Sequence, residues 1–352
     1  MKIKLTKQEK NWILYDVGNS AFTLLAATIL PIYFNYIAGK QGLSDVQYLA
    51  YWGYAVSIAT LLTALAGPVF GTVADTKGYK KPVFTIALGI GAIASVALGF
   101  AKYWLAFLVV FVIAKVGYSV TLVFYDSMLV DVTSEDRMDE VSSQGYAWGY
   151  IGSCVPFVIC LLVVLNAGKI GITMEIAMMV SFVIITVWWV IMTLPLLRTY
   201  HQKYYVEKKQ HAFSESFKRI GITLKNVKKE KKVFLFLLAF FFYIDGVYTI
   251  IDMATAYGSA LGLSSTGLLL ALLLTQIVAF PFAIIFGRLA QKYSAEKLIT
   301  VCIVAYLGVA IFAIFLHYQW QFWVLAVWVG MFQGGVQALS RSYFTKIIPA
   351  NQ

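Results

Sequence analysis

Long apolar runs alternate with short polar segments along the whole chain. The runs cover about 12–38, 49–74, 83–101, 104–131, 143–166, 173–197, 233–258, 264–287, 298–316 and 321–347. Each is long enough to cross a bilayer core of about 30 Å as a helix rising about 1.5 Å per residue. They are continuous and do not alternate apolar with polar positions, which excludes the strands of a membrane barrel. Tyr48, Tyr51, Trp52, Tyr103, Trp104, Trp320 and Trp323 stand at run edges, where aromatic rings anchor in the interface. The pattern predicts an all-α membrane protein with ten spans.

The polar segments set orientation and domain boundaries. With the N-terminus in the cytoplasm, Lys2, Lys4, Lys7 and Lys10, then Lys77, Lys80 and Lys81, Arg137, the 198–232 segment, and Arg288, Lys292, Lys297 and Lys346 all fall inside, leaving only Lys40, Lys102 and Lys169 outside. The 198–232 segment is the longest polar stretch. It divides an N-terminal six-helix bundle (1–197) from a C-terminal bundle (233–352) with four spans present. Within this linker, Phe213, Phe217, Ile220 and Leu224 recur at helical spacing among basic residues, predicting an amphipathic helix over 213–227 on the membrane surface.

An internal repeat crosses that divide. Gly71-Thr-Val-Ala-Asp75-Thr-Lys-Gly78-Tyr-Lys80-Lys81 follows the second span, and Gly287-Arg288-Leu-Ala-Gln291-Lys292-Tyr-Ser294 follows the eighth. Asp126-Ser127 with Asp131 in the fourth span matches Arg341-Ser342 with Lys346 in the tenth, with acid replaced by base. Tyr15-Asp16 in the first loosely echoes Tyr243-Ile244-Asp245 in the seventh. Two homologous halves of six spans follow, and the second is expected to continue past Gln352 for two more.

Composition narrows the function. With 60% hydrophobic and 13% charged residues the chain is no soluble globule. Its net charge of +11 lies between apolar runs and not along one exposed face, so no nucleic-acid partner is expected. Cys154, Cys160 and Cys302 lie inside apolar runs without metal spacing. A phosphate-binding Gly-x-x-x-x-Gly-Lys-Ser/Thr loop, His-Glu-x-x-His and Gly-x-Ser-x-Gly are all absent from the sequence, so neither an enzyme, a cofactor nor an ATP motor is expected.

Ionisable residues inside the spans carry the candidate chemistry. Asp16 lies in the first span, Lys115 and Asp126 in the fourth, Asp245 and Asp252 in the seventh and Arg341 in the tenth. These are the leading helices of successive three-helix units, and charge in hydrocarbon is tolerated only where it faces protein or water. Depth separates roles. Lys115, Asp245 and Asp252 are candidates for binding a solute, a lysine holding a carboxylate and an aspartate an ammonium. Asp16, Asp245 and Asp252 are candidates for carrying a coupling ion, a proton in preference to sodium. Asp126, Asp131 and Arg341 lie near the cytoplasmic ends of their spans and, with Gly71, Asp75, Gly78, Lys80 and Lys81, are candidates for a cytoplasmic gate. The alternative for Lys115 is a structural pair with Asp245 or Asp126.

These residues resemble the major facilitator superfamily. Gly71 to Lys81 resembles its loop motif between spans two and three. Trp12-x-x-Tyr15-Asp16-x-x-Asn19-Ser20-x-Phe22, Phe124-Tyr125-Asp126-Ser127, Asp139 to Gly152 and Leu339-Ser340-Arg341-Ser342-Tyr343 resemble the branch related to vacuolar amino-acid effluxers, with its bacterial permeases. The resemblance implies two six-helix bundles with alternating access, a loop glycine that permits close packing, an acid that anchors the gate and, for fungal members, amino-acid export. The compact loops favour a bacterial type in the plasma membrane. The expected function is secondary active transport of a small polar solute, an amino acid among the candidates. A lipid or drug exporter of the same fold and a non-transporting membrane sensor or scaffold are the alternatives.

Overall fold

The computed structural model describes residues 4–207 and 230–347. Among these, ten helices have the length and apolar character to cross a membrane: α1 (Lys7–Lys40), α2 (Asp45–Ala74), α3 (Lys80–Phe100), α4 (Trp104–Ser127), α5 (Glu135–Leu165), α6 (Met174–Thr199), α7 (Lys231–Ala260), α8 (Ser265–Leu289), α9 (Ala295–Ile314) and α10 (Gln319–Ile347). No strand forms among the described residues; an isolated parallel bridge pairs Thr76 with Val206. The amphipathic helix expected over 213–227 and the end of the chain at Pro349–Gln352 lie outside the described residues.

Helix α1 begins at a capping box. The Thr6 hydroxyl accepts from the Glu9 amide, and the Glu9 carboxylate accepts from the Thr6 amide, which satisfies two backbone groups at the helix start. The same buried carboxylate accepts from Arg137 Nε at 2.9 Å, Arg137 Nη2 at 2.7 Å and Thr133 Oγ1 at 2.7 Å. One acid thus ties the start of α1 to the α4–α5 connection. Further along, Pro31 has no N–H to give the carbonyl of Ala27 four residues earlier, and the helix breaks at Thr28 into Lys7–Ala27 and Ile29–Lys40.

In the first half, α1 lies against α5 and α6, and α4 against α2 and α3. Glycine sets the closest approach: a Cβ at Gly149 would fall 2.6 Å from Ser20 Oγ, one at Gly152 2.6 Å from Val17 Cγ1, and one at Gly145 would collide with the Asp16 carboxylate. Small residues on that face of α5 let the two backbones meet. Aromatic side chains fill the interior, among them Trp12, Phe22, Phe34, Phe107 and Trp189. In the second half, α10 packs on α8 and α9 around a separate core that includes Phe286, Tyr306 and Phe322. A small cluster of Ala147, Tyr150, Ala279 and Ala283 joins α5 to α8 between the halves.

The two leading helices differ. The most apolar stretch of α1 is 78% buried and that of α7 only 11%. Helix α7 touches α1, α2, α8, α9 and α10, but among the described residues no pair of helices clasps it as α5 and α6 clasp α1.

Candidate functional site

A cavity of about 1250 Å³ lies between the halves. Its outer wall comes from connections at the end of the bundle where α1 begins, here the N-terminal face: Asp75, Lys80, Ser134, Glu135 and the linker residues Lys203 to Val206. Its inner wall carries Asp126, Tyr146, Ile244, Tyr248, Gln337 and Arg341. The cavity therefore opens at the N-terminal face and ends near the middle of the bundle.

Arg341 on α10 organises the inner wall. Its Nε donates to Ser142 Oγ at 2.9 Å and its Nη2 to the Ser142 carbonyl at 2.9 Å. Nη1 and Nη2 reach Asp16 Oδ2 at 3.5 and 3.4 Å, and Nη1 reaches Asp126 Oδ1 at 3.2 Å. The guanidinium also lies 4.6 Å from the Trp12 ring centroid, 5.4 Å from that of Tyr125 and 4.3 Å from that of Tyr146, where ring quadrupoles favour a desolvated cation. Asp16 is held from its other sides by Tyr125 Oη at 2.7 Å and Asn19 Nδ2 at 3.2 Å. One cation thus meets two carboxylates from the first half.

The loop following α2 holds the linker. Gly78 adopts φ +79°, a left-handed backbone that favours glycine. Its amide donates to Gln202 Oε1 at 3.1 Å, and Gln202 Nε2 donates to the Ala74 carbonyl at 3.1 Å. The Lys77 amide donates to Val206 O, and the Val206 amide to Asp75 O. Asp131, whose side chain is fully buried, accepts from Tyr200 Oη at 2.5 Å and from the amides of Lys203 and Tyr204 at 2.9 and 3.0 Å, with Lys80 Nζ at 3.5 Å. Burial and the neighbouring carboxylate hold the Tyr200 phenol well above its ordinary pKa, so it remains a donor. Residues 200–207 form a strap along one side of the cavity mouth. Lys81 is exposed and lines no part of the cavity.

Opposite the cavity mouth, the far face is closed by one stripe of α7. Asp252, Thr255 and Ser259 recur at i, i+3 and i+7, one side of a helix. Asp252 Oδ1 pairs with Lys115 Nζ at 2.7 Å, its carbonyl accepts from Trp52 Nε1 at 3.4 Å, Thr255 Oγ1 donates to the Ala27 carbonyl at 2.5 Å, and Ser259 Oγ accepts from Asn35 Nδ2 at 3.1 Å. Pro31 leaves the Ala27 carbonyl free, and α7 fills it.

The predicted residues thus separate into three places. Asp16, Asp126 and Arg341 converge. Gly78, Asp75, Lys80 and Asp131 gather at the strap. Lys115 and Asp252 pair with each other on the closed face and line no part of the cavity, because the halves meet there. Asp245 is exposed, lines no part of the cavity and makes no ion pair among the described residues. Asp126 and Arg341, both expected as gate charges, are paired while the cavity beside them stands open. Close packing falls not on Gly71, which faces open space, but on its repeat counterpart Gly287, where a Cβ would lie 2.6 Å from Ser143 Cβ. Sequence reasoning gave no role to Ser142, Tyr146, Gln202 or Thr255. Only Thr255 left a readable signal, through its helical spacing from Asp252.

A multi-span helical bundle with a cavity open between its halves is the architecture of a membrane transporter, and its solved counterparts agree. The structure resembles the inward-open xylose transporter XylE from E. coli with a TM-score of 0.63 at 12% identity, covering 97% of this chain and 87% of that one. It resembles a mutant of the nucleoside transporter NupG with a TM-score of 0.59 at 15% identity, covering 98% and 88%. At these identities the likeness shows the fold, that of the major facilitator superfamily. Residues 6–352 match the family described as vacuole effluxer Atg22 like, and the chain belongs to that family. It is 44% identical to the uncharacterised MFS-type transporter YxiO of Bacillus subtilis (strain 168) over 99% of this chain and 83% of that protein. It is 24% identical to autophagy-related protein 22 of Vanderwaltozyma polyspora over 99% and 81%. The chain is a multi-pass membrane transporter and not an enzyme.

Proposed function

We propose that this transporter moves a small polar solute, with amino acids the leading class, by alternating access between the bundles 1–197 and 233–352. The carrying observation is the asymmetry between the faces. A cavity with charged walls is open at the N-terminal face, while the far face is shut by the Lys115–Asp252 pair and the α7 stripe. In this reading the N-terminal face is cytoplasmic, as the lysine and arginine distribution favours, and the membrane is the plasma membrane. The inner wall offers an arginine and a carboxylate side by side, which suits a zwitterion. Lys115 and Asp252 then act as the latch that must part for the far side to open, and solute is recognised at Asp126 and Arg341. Coupling is to protons, because carboxylates reachable from a cavity exchange them.

The test is uptake in proteoliposomes holding the full-length protein, with a panel of radiolabelled amino acids, sugars and nucleosides, with and without a pH gradient. Accumulation of an amino acid that collapses with the gradient is expected. Transport confined to sugars or nucleosides, or indifferent to the gradient, would overturn the substrate or the coupling part respectively.

A further inference from the structure

Two carboxylates share one guanidinium in the inner wall, and their surroundings are not alike. Asp16 has 4% of its side chain exposed, Arg341 6% and Asp126 44%. Oδ2 of Asp16 receives Arg341 and Tyr125, and its Oδ1 receives Asn19. Every contact supplies a donor to this carboxylate. Asp126 differs. Its Oδ1 accepts a single bond from Arg341 Nη1, its Oδ2 has no partner among the described residues, and the cavity reaches it.

Arg341 has its five N–H donors committed: Nε to Ser142, Nη2 to Ser142 and Asp16, Nη1 to Asp16 and Asp126. The cluster therefore carries one positive and two negative charges. The excess negative charge falls to the carboxylate that the cavity reaches, and one proton there removes it. Around Asp126 stand the phenols of Tyr15 on α1, Tyr125 on α4, Tyr146 on α5 and Tyr248 on α7, and the charged groups Asp75, Glu135, Lys203 and Lys346 line the same cavity. Lys80 of α3 lines the same cavity but is engaged by Asp131.

We infer that Asp126 is the proton-exchanging carboxyl of this transporter and that Asp16 is a positioning residue that holds Arg341. The inference rests on the proton-coupled reading above and changes which acid carries the proton. A proton from cavity water adds to Asp126 Oδ2, the cluster becomes neutral, and the attraction holding Arg341 Nη1 to Asp126 weakens. That N–H then becomes available to an anionic group of the solute, so that protonation and solute binding are linked at one atom.

The test requires no solute and is independent of transport. Infrared difference spectra between acidic and neutral pH are recorded on the purified full-length protein in lipid bilayers, for wild type, Asp126→Asn, Asp126→Glu and Asp16→Asn. The carbonyl-stretch band of a protonated carboxyl is expected to lose one component in Asp126→Asn, and that component should move in frequency in Asp126→Glu. A wild-type spectrum whose buried-carboxyl component survives Asp126→Asn overturns the assignment. Loss of that component in Asp16→Asn but not in Asp126→Asn reverses it. Asp126→Glu keeps a carboxyl at this position, so failure of the Asn variant to fold leaves the frequency shift as the deciding result. Gradient-independent transport with the Asp126 band present would instead sink the coupling proposal alone.

Discussion

Among the described residues the halves meet through charge at three places, Arg341 in the cavity wall, Lys115–Asp252 on the closed face and Lys346–Asp139 near the N-terminal face, and the first two are built differently. Arg341 uses all five donors, rests between three aromatic rings and touches two acids and a serine from α1, α4 and α5. Lys115 and Asp252 make one contact at 2.7 Å, with 14% and 13% of their side chains exposed. A partner-saturated buried ion is expensive to disturb because whatever is removed leaves a charge unanswered. A single pair leaves only one contact for water to replace when the face opens. The first arrangement suits a hub held by Asp16 and Ser142 whose Asp126 contact alone exchanges during the transport cycle, and the second a latch that opens and closes within it.

The comparison breaks most readily at the hub. Arg341→Ala leaves the buried Asp16 carboxylate without its cation and is expected to cost about 3–5 kcal/mol, the penalty for orphaning one member of a buried pair. Thermal unfolding in detergent should show a large drop in midpoint, and Arg341→Lys should recover only part of it, since an ammonium cannot reach Ser142 and both acids in one plane. A drop no larger than that of a surface lysine variant would put Arg341 on the same footing as the latch.

At the latch, stability should change little and conformation much. Asp252→Asn removes the charge and keeps the shape, so the closed far face loses about 1–3 kcal/mol relative to the open one, a population shift of about 5- to 150-fold. A cysteine placed at Asn35 should then react faster with a membrane-impermeant maleimide from the far side, while the unfolding midpoint stays within about 2 °C of wild type. Adding Lys115→Met to Asp252→Asn should cost less than the sum of the single changes. Equal labelling rates in wild type and variant would remove the latch. The strap gives a smaller effect. Gln202→Ala removes contacts to Gly78 and Ala74 at a half-buried site, about 1 kcal/mol, which should appear as faster proteolysis of the linker.

Much of the fold was legible before the structure, since ten apolar runs are a consequence of bilayer thickness and need no tertiary information. The hub was partly legible. Depth along each span placed Asp126 and Arg341 near the same membrane face, because rise per residue is fixed in a helix. Which charges actually pair was not legible, because pairing depends on how the halves are tilted: depth put Lys115 and Asp245 together, whereas the closed far face brings Asp252 to Lys115. Asp131 shows the same limit. Its spacing marked it as a gate charge, and Lys80 of that gate set does lie 3.5 Å away, but its hydrogen bonds come from two backbone amides and a tyrosine of the linker, contacts that no residue pattern encodes.

The smallest predicted effect tests whether the far face closes on a defect built into α1. Pro31 frees the Ala27 carbonyl, and Thr255 of α7 donates to it. Thr255→Val leaves that buried oxygen without a donor and is expected to destabilise the closed far face by about 1 kcal/mol, in the same direction as Asp252→Asn but more weakly. Pro31→Ala restores an N–H that can serve Ala27 from within α1, so on that background Thr255→Val should cost distinctly less. Cysteine labelling at position 35 across the four chains measures the coupling directly. A cost for Thr255→Val that is the same with proline or alanine at position 31 would mean that Thr255 merely fills space. A reduced cost would mean that the missing hydrogen bond of one half is what the other half recognises when the far side shuts.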